Sequence, residues 1–198
     1  YPKHAFRQIL ANARTGGVPS MRTHEDLYVF MTEHLTTQAM IDYLLQSTQI
    51  TDVNRVLFAD QQHPEAVDYL STLTLIGLKE HFGQQCSPLF PTPWIYRDYD
   101  GDVSHLYGRG FGTTRLLDPD LRADNELSGA TEELRYQDFD SLVIGSISRN
   151  AELAEELARY FAPDRTIWIH GEDTPPLPED MRTYRQAGAH LFVRSIDV

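Results

Sequence analysis

Short apolar runs alternate with helical patterns from about residue 54 to the end of the chain, and this alternation constrains the fold most. Five runs read as buried strands, at 55–59, 86–90, 139–147, 166–169 and 190–196. Three stretches between them, 66–82, 151–161 and 179–187, carry apolar residues at three- and four-residue steps. Strands without polar alternation, separated by amphipathic helices, are typical of a parallel sheet covered on both faces. We therefore predict an α/β fold, a Rossmann-like or flavodoxin-like parallel sheet of about five strands with helices on both faces.

Residues 1–53 are predicted to form a helical leader that precedes an α/β domain at 54–198. Leu27, Phe30, Met31 and Leu35 recur at helical spacing within the leader. Such an apolar stripe is costly in water, so we expect the leader to pack on the core or, alternatively, to seal a dimer. The stretch at about 88–124, which contains several prolines and aromatic residues, is predicted to be a long irregular insertion.

Charge and cysteine content argue against several classes of protein. The 198-residue chain carries 29 acidic and 17 basic side chains, which give a formal net charge of −12. Nucleic-acid and anionic-membrane binding both need a basic surface, so neither is expected. No apolar run is long enough to span a bilayer, and the single cysteine, Cys86, cannot form an internal disulfide. These features favour a cytoplasmic protein, and the first residue, Tyr1, suggests either an excised fragment or a short protein with a trimmed tag.

Polar residues follow three of the predicted strands, at the edge where parallel sheets bind their ligands. They follow the first strand at 60–63, the third at 145–150 and the fourth at 170–173. If these strands are neighbours, their polar groups converge at one edge of the sheet. The candidate ligand-binding residues there are Asp60, His63, Ser146, Ser148, Arg149, His170, Glu172 and Asp173.

Residues 145–150 lead directly into a predicted helix. Backbone amides at the start of a helix favour an anion, and Arg149 would add a charged group for a phosphate or a carboxylate. The alternative is an ordinary helix cap by Ser148 or Asn150 beside an exposed arginine.

The residues after the fourth predicted strand, His170, Glu172 and Asp173, suit a sugar hydroxyl, acid–base chemistry or a metal ion. Their spacing matches no metal-binding motif, so we expect no metal site. Asp173 could instead merely begin the proline-rich turn that follows it, and Asp60 and His63 have the same alternative role.

A glycine-rich stretch at 106–114 is the most distinctive part of the insertion. Arg109 and Gly110 are further ligand candidates, because glycines let backbone amides approach a ligand closely. The alternative is a tight turn that requires a positive φ. The glycine spacing is neither a dinucleotide-binding fingerprint nor a phosphate-binding loop, and the chain contains no nucleophile elbow. We therefore expect no bound cofactor.

Several segments resemble a group of largely uncharacterised bacterial proteins that are described as glycosyltransferase-like. The segments are VLFAD with the nearby HPEAVDYLSTLTLIGLKEHFG, then LYGRGF, FDSLVIGSISR and IWIHGED, and together they span about residues 54–198. The resemblance implies the N-terminal, Rossmann-like half of a GT-B type protein. Related chains tend to carry an aspartate at the position of His170, whereas Glu172 and Asp173 match. The resemblance transfers no catalytic residue to this chain.

The resemblance also implies how such a half would work. GT-B type enzymes bind their substrates between two Rossmann-like halves, and the second half usually holds the nucleotide-sugar donor. This chain would then bind a sugar or glycan acceptor, would need a second Rossmann-like domain as its partner, and would be inactive alone. Two other functions stay open, namely a non-catalytic Rossmann-like binding or interaction module and a small flavodoxin-like enzyme of unknown reaction.

Overall fold

The computed structural model describes residues 7, 11–12, 14–16, 21–50, 52–61, 69–128 and 135–194. The helices are α1 (Met21–His34), α2 (Thr37–Thr48), α3 (Tyr69–Phe82), α4 (Asp124–Ser128), α5 (Ala151–Leu157) and α6 (Pro178–Ala187). The strands are β1 (Val56–Ala59), β2 (Cys86–Pro88), β3 (Ser141–Ile144), β4 (Thr166–His170) and β5 (His190–Val193). None of the helices in these ranges combines the length and the apolar character that a bilayer crossing requires.

Five parallel strands form one sheet in the order β2-β1-β3-β4-β5. Val56 of β1 lies opposite Cys86 of β2 and Ser141 of β3, and Ile167 of β4 lies opposite His190 of β5. The predicted α/β fold with about five parallel strands is therefore confirmed. This strand order is the flavodoxin-like one, in which the direction of the connections reverses between β1 and β3.

The central strands bury both of their faces, which explains the unbroken apolar runs in the sequence. In β1, Val56 and Phe58 belong to one core cluster, whereas Leu57 and Ala59 belong to another. Helices α2 and α3 cover the first cluster, and helices α5 and α6 cover the second. Burial of each large apolar side chain contributes about 1.5–3 kcal/mol, so both layers stabilise the sheet.

The second leader helix, α2, packs closely on α3. Thr36 caps its start by accepting a hydrogen bond of 3.1 Å from the Ala39 amide. Where the two helices cross, Gly77 leaves no room for a side chain, because a Cβ there would lie 2.7 Å from the Thr37 carbonyl oxygen. Ile41 of α2 is fully buried in the first core cluster, so the leader contributes to the core through this helix.

Helix α1 contributes much less to the core than the apolar stripe in its sequence suggests. It buries only Thr23, and Met31 in α1 and Leu35 just after it are 54% and 66% exposed. Leu27 and Phe30 are half-buried. The stripe is incompletely covered because α2, not α1, packs against α3.

The segment between β2 and β3 is irregular but closely packed. It contains α4 and several short 3-10 turns. Ile95, Tyr96 and Leu117 enter the first core cluster. Asn125 of α4 donates a hydrogen bond of 2.9 Å to the Pro88 carbonyl oxygen, so the segment covers the outer side of edge strand β2.

A buried ion pair attaches this segment to α3. Lys79 and Glu126 have almost no exposed surface, and their charged groups lie 2.5 Å apart. The Tyr96 hydroxyl donates to Glu126 at 3.0 Å, and the Lys79 ammonium also donates to the Leu121 carbonyl oxygen at 3.2 Å. Each charge thus has a second polar partner, which a buried ion pair needs to offset its loss of hydration.

Some element boundaries differ from those predicted. The strand predicted at 139–147 spans only Ser141–Ile144, and the helix predicted at 151–161 ends at Leu157. Phe161 nevertheless reaches the second core cluster from the turn after that helix. Residues 66–68 and 195–196, at the ends of other predicted elements, lie outside the described residues.

Candidate ligand site at the carboxyl edge of the sheet

Strands β1 and β3 are neighbours, and their connections leave in opposite directions. Strand β1 leads to β2 on one side, whereas β3 leads to β4 on the other. In α/β sheets such a reversal opens a crevice beyond the carboxyl ends of the two strands, and ligands bind there. Asp60 directly follows β1 and Gly145 directly follows β3, so both lie at this crevice.

The carboxylate of Asp60 connects the polar groups of this edge. Its Oδ2 accepts hydrogen bonds from the Ser71 hydroxyl and from Arg149 Nη2, the latter at 3.0 Å. Its Oδ1 accepts a bond of 2.6 Å from Asn150 Nδ2. Both oxygens accept hydrogen bonds and the side chain has no exposed surface, so Asp60 holds its three neighbours in position.

Asn150 joins the ends of β1 and β3. Its Oδ1 accepts a hydrogen bond of 2.8 Å from the Gln61 amide, and its Nδ2 also donates to the Ser146 carbonyl oxygen at 2.7 Å. Asn150 stands at the N-cap position of α5, but its side chain makes no capping bond to that helix. The alternative of an ordinary cap by Asn150 is therefore not what the structure shows.

Arg149 is held by Asp60 and is only partly accessible. Its side chain is 26% exposed, and the carboxylate of Asp60 neutralises much of its charge. Helix α5 has seven residues, too few for a strong helix dipole at its start. Both features weaken the attraction that this edge would offer to an anion, and they favour an uncharged polar ligand.

A series of hydrogen bonds between hydroxyl and carboxyl groups links the end of β3 to the end of β4. Ser146 and Ser148 share a hydrogen bond of 3.1 Å between their hydroxyls, and the Ser148 hydroxyl donates to Glu172 at 2.6 Å. Ser146 is fully buried, whereas Ser148 is exposed and Glu172 is half-buried. Of these three hydrogen-bonded side chains, Ser148 and Glu172 are therefore the two that a ligand can reach.

Gly145 lets the two strand ends approach each other. A Cβ at this position would lie 2.6 Å from Phe58 Cζ and 3.0 Å from the Asp60 Cβ, and it would also collide with the Ser71 hydroxyl. Any larger residue would push Ser71 away from Asp60. The hydrogen bonds to Asp60 therefore require a glycine at position 145.

The remaining candidates at the end of β4 have different surroundings. His170 is buried, and its Nδ1 has no hydrogen-bond partner among the residues that the structure describes. The exposed carboxylate of Asp173 pairs with Arg194 at 2.7 Å. Arg194 also donates to the Gly171 carbonyl oxygen at 3.3 Å, so this arginine fixes the turn after β4.

The glycine-rich loop is attached to the insertion. Gly110 and Arg109 have φ values of 70° and 56°, as a tight turn requires. The Gly110 carbonyl oxygen accepts a bond of 3.0 Å from the Thr114 hydroxyl, and the Arg115 amide donates to the Trp94 carbonyl oxygen at 2.9 Å. These contacts connect the loop to its own segment and not to residues 145–150. His63, the last candidate, lies outside the described residues.

Sequence reasoning missed two residues that shape this edge, Ser71 and Arg194. Ser71 lies within a predicted helix and Arg194 within a predicted strand, and nothing in either pattern marks them as neighbours of Asp60 and Asp173. Within the described ranges, no group of three or more His, Cys, Asp or Glu side chains is arranged to hold a metal ion. The edge thus offers hydroxyl donors, carboxylate acceptors and one partly neutralised arginine, which together suit hydrogen bonding to a polar ligand.

Comparisons with known proteins add no assignment. No protein-family model matches the chain, and no curated protein sequence or solved structure shows significant similarity to it.

Proposed function

We propose that this chain is the acceptor-side, N-terminal half of a glycosyltransferase-like protein and binds a sugar or glycan acceptor at the carboxyl edge of its sheet. A second Rossmann-like domain would hold the donor, so the chain alone would be inactive. The observation that carries the proposal is the pair of reachable groups, Ser148 and Glu172, beside the crevice between β1 and β3. Sugars bind through hydroxyls that donate and accept hydrogen bonds, and this pair offers both functions.

The charge of the edge supports an uncharged ligand over a nucleotide. Arg149 is already paired with Asp60, while Glu172 remains half-exposed. The net charge of −12 further repels anions at long range, although salt screens this effect beyond about 8 Å. A free sugar hydroxyl group therefore fits better than a phosphate.

Amide chemical shifts in an NMR titration test this proposal. Free sugars, sugar phosphates and nucleotide sugars are titrated separately into the labelled chain. We expect free sugars to shift the amides of residues 145–150 and of Glu172, and to do so at lower concentration than the two phosphorylated classes. Shifts that are confined to helix α1, or no shift with any class at millimolar concentration, would contradict the proposal.

The chain offers a matched control for the site residues. Ser148 and Ser104 both donate to a carboxylate at 2.6 Å, but Ser104 lies in an exposed turn of the insertion, paired with Asp102. Ser148→Ala should weaken sugar binding roughly tenfold, which corresponds to the loss of one hydrogen bond of about 1.4 kcal/mol. Ser104→Ala should leave binding unchanged.

A non-catalytic interaction module is the second candidate, and the exposed apolar side chains of α1 favour it. Met21, Tyr28 and Met31 of this helix are each more than half exposed, as is the nearby Leu35. In that case sugars should cause no shifts at the carboxyl edge, and Met31→Gln should change the oligomeric state or partner binding. The titration above therefore discriminates between the two functions.

A further inference from the structure

A polar cavity lies at the amino edge of the sheet, opposite the carboxyl edge. It has a volume of about 550 Å³, and its walls come from residues near the starts of β1, β2 and β3 together with the start of α4. The wall residues that matter here are Arg55, Gln85, Ser87, Asp124, Arg135 and Asp138. We call this space the amino-edge cavity. Its size falls within the usual range for small-molecule sites.

Among the described residues, the walls of the amino-edge cavity carry two arginines and two aspartates, whose formal charges balance. Arg55 lies 4.0 Å from Asp138, and its guanidinium stacks 4.8 Å from the centre of the Phe139 ring. Arg135 and Asp124 form no ion pair with any residue in the described part of the chain. Because these charges cancel, the described walls have no net attraction for a strongly charged ligand, and the acidity of the whole chain disfavours an anion further.

Two polar side chains in these walls are available to a polar occupant. Ser87 is 3% exposed, and its hydroxyl has no hydrogen-bond partner among the described residues. The side-chain amide of Gln85 likewise has none within the described residues, although it is exposed. Both side chains line the cavity, so each can donate a hydrogen bond to an occupant and accept one from it.

We propose that the amino-edge cavity binds a neutral, polyhydroxylated ligand such as one unit of a carbohydrate. Hydroxyl groups donate and accept hydrogen bonds at once, which suits walls that offer guanidinium and amide donors beside carboxylate acceptors. Planar groups such as those of Arg135 and Asp124 can each bond to two adjacent hydroxyls. The ligand class follows from these walls and goes beyond the function proposed for the carboxyl edge.

An NMR titration with neutral sugars tests the site directly. Glucose, galactose, N-acetylglucosamine and maltose serve as neutral probes, and glucose 6-phosphate and glucosamine serve as charged comparators. We expect at least one neutral sugar to shift the amides of residues 84–87 and 135–139 saturably, and to bind there more tightly than either charged comparator.

Two variants and a control separate binding from folding. Arg135→Gln, at an exposed position without an ion pair to a described residue, should weaken this binding roughly tenfold. Ser87→Val, which removes the hydroxyl and fills part of the cavity, should weaken it by at least as much. Arg185→Gln, which changes an exposed arginine of α6, should leave it unchanged.

The two edges give distinguishable outcomes. Shifts at 145–150 alone would overturn the amino-edge proposal and support the carboxyl-edge function. Shifts at 84–87 and 135–139 alone would support the amino-edge proposal and contradict the function proposed for the carboxyl edge. Tighter binding of glucose 6-phosphate than of neutral sugars in the cavity, or no shift of these amides with any probe, would also overturn the amino-edge proposal.

Discussion

At the scale of single residues, Asp60 determines the shape of the carboxyl edge. It accepts hydrogen bonds from Ser71, Arg149 and Asn150, which come from three different parts of the chain. Asp60→Asn keeps the shape of the side chain but removes its charge and places an amide group against other donors. We expect the free energy of unfolding to fall by about 2–4 kcal/mol, because hydrogen bonds to the buried Asp60 carboxylate and its ion pair with the partly exposed Arg149 are lost together. Urea unfolding measures this change.

A second arginine–aspartate pair, whose aspartate is half exposed, provides the control for Asp60→Asn. Arg122 and Asp98 form two hydrogen bonds, the shorter of 2.5 Å, and Asp98 is 48% exposed whereas the Arg122 side chain is 18% exposed. Asp98→Asn should cost less stability than Asp60→Asn, because the Asp98 carboxylate, unlike that of Asp60, remains open to water. Equal losses in the two variants would show that Asp60 has no special role in the fold.

Cys86 gives a second prediction at the residue scale, on reactivity and pH. Burial raises the pKa of this thiol to about 12, although the nearby Lys79 charge opposes the shift. The native state therefore keeps the proton at pH values where an unfolded chain, with a pKa near 9.0, releases it. The stabilisation from this group is fully present below about pH 9 and is lost as the pH rises towards 12. Iodoacetamide should alkylate Cys86 slowly at about pH 9 until denaturant is added, as mass spectrometry would show.

At the scale of elements, the Lys79–Glu126 pair fixes the insertion onto α3. Lys79→Met leaves Glu126 buried without its counter-charge, so we expect a loss of about 3–5 kcal/mol in the free energy of unfolding. The double variant with Lys79→Met and Glu126→Leu should recover much of this loss, because neither charge then remains buried alone. Chemical unfolding of the two single variants and the double variant completes the cycle. Additive losses would mean that the two side chains do not interact.

The elements also show what sequence reasoning can find. The five strands and the helices α3, α5 and α6 were predictable, because their apolar periods reflect burial on a sheet. Lys79 looks like any lysine near the end of a helix, and its burial depends on Glu126, 47 residues away. Such a partner is set by how the insertion folds back, so no local pattern contains it. The early end of α5 at Leu157 was not predictable either. Phe161 keeps the helical spacing of apolar residues although it lies in a turn after the helix.

At the scale of the whole molecule, strand order decides which residues meet. The sequence predicts that ligands bind at the carboxyl edge, but not that β1 and β3 are neighbours. Asp60 and Asn150 are 90 residues apart, and only the order β2-β1-β3 brings them into contact. The candidates at the strand ends were therefore predictable as a group, whereas the central position of Asp60 and the roles of Ser71 and Arg194 were not.

At the scale of the whole molecule, we predict how much each part of the leader contributes to stability. Helix α2 buries Ile41 and Leu44 against the sheet layer, whereas α1 buries only Thr23. A chain that lacks residues 1–35 should therefore fold with nearly unchanged stability. A chain that lacks residues 1–50 should aggregate or melt at a much lower temperature, because its first core cluster is exposed. Calorimetry and size-exclusion chromatography compare the two truncations, and equal behaviour would contradict a core role for α2.

A crystal structure with a bound sugar tests the central claim, that the carboxyl edge between β1 and β3 is the ligand site. Crystals of the intact chain are soaked in the neutral sugar that gives the largest NMR shifts. We expect ordered sugar beside Ser148 and Glu172, with at least one sugar hydroxyl within hydrogen-bond distance of each side chain, and unchanged hydrogen bonds to Asp60 beneath it. Sugar that is ordered only elsewhere on the molecule, with the carboxyl edge occupied by solvent alone, would contradict the claim.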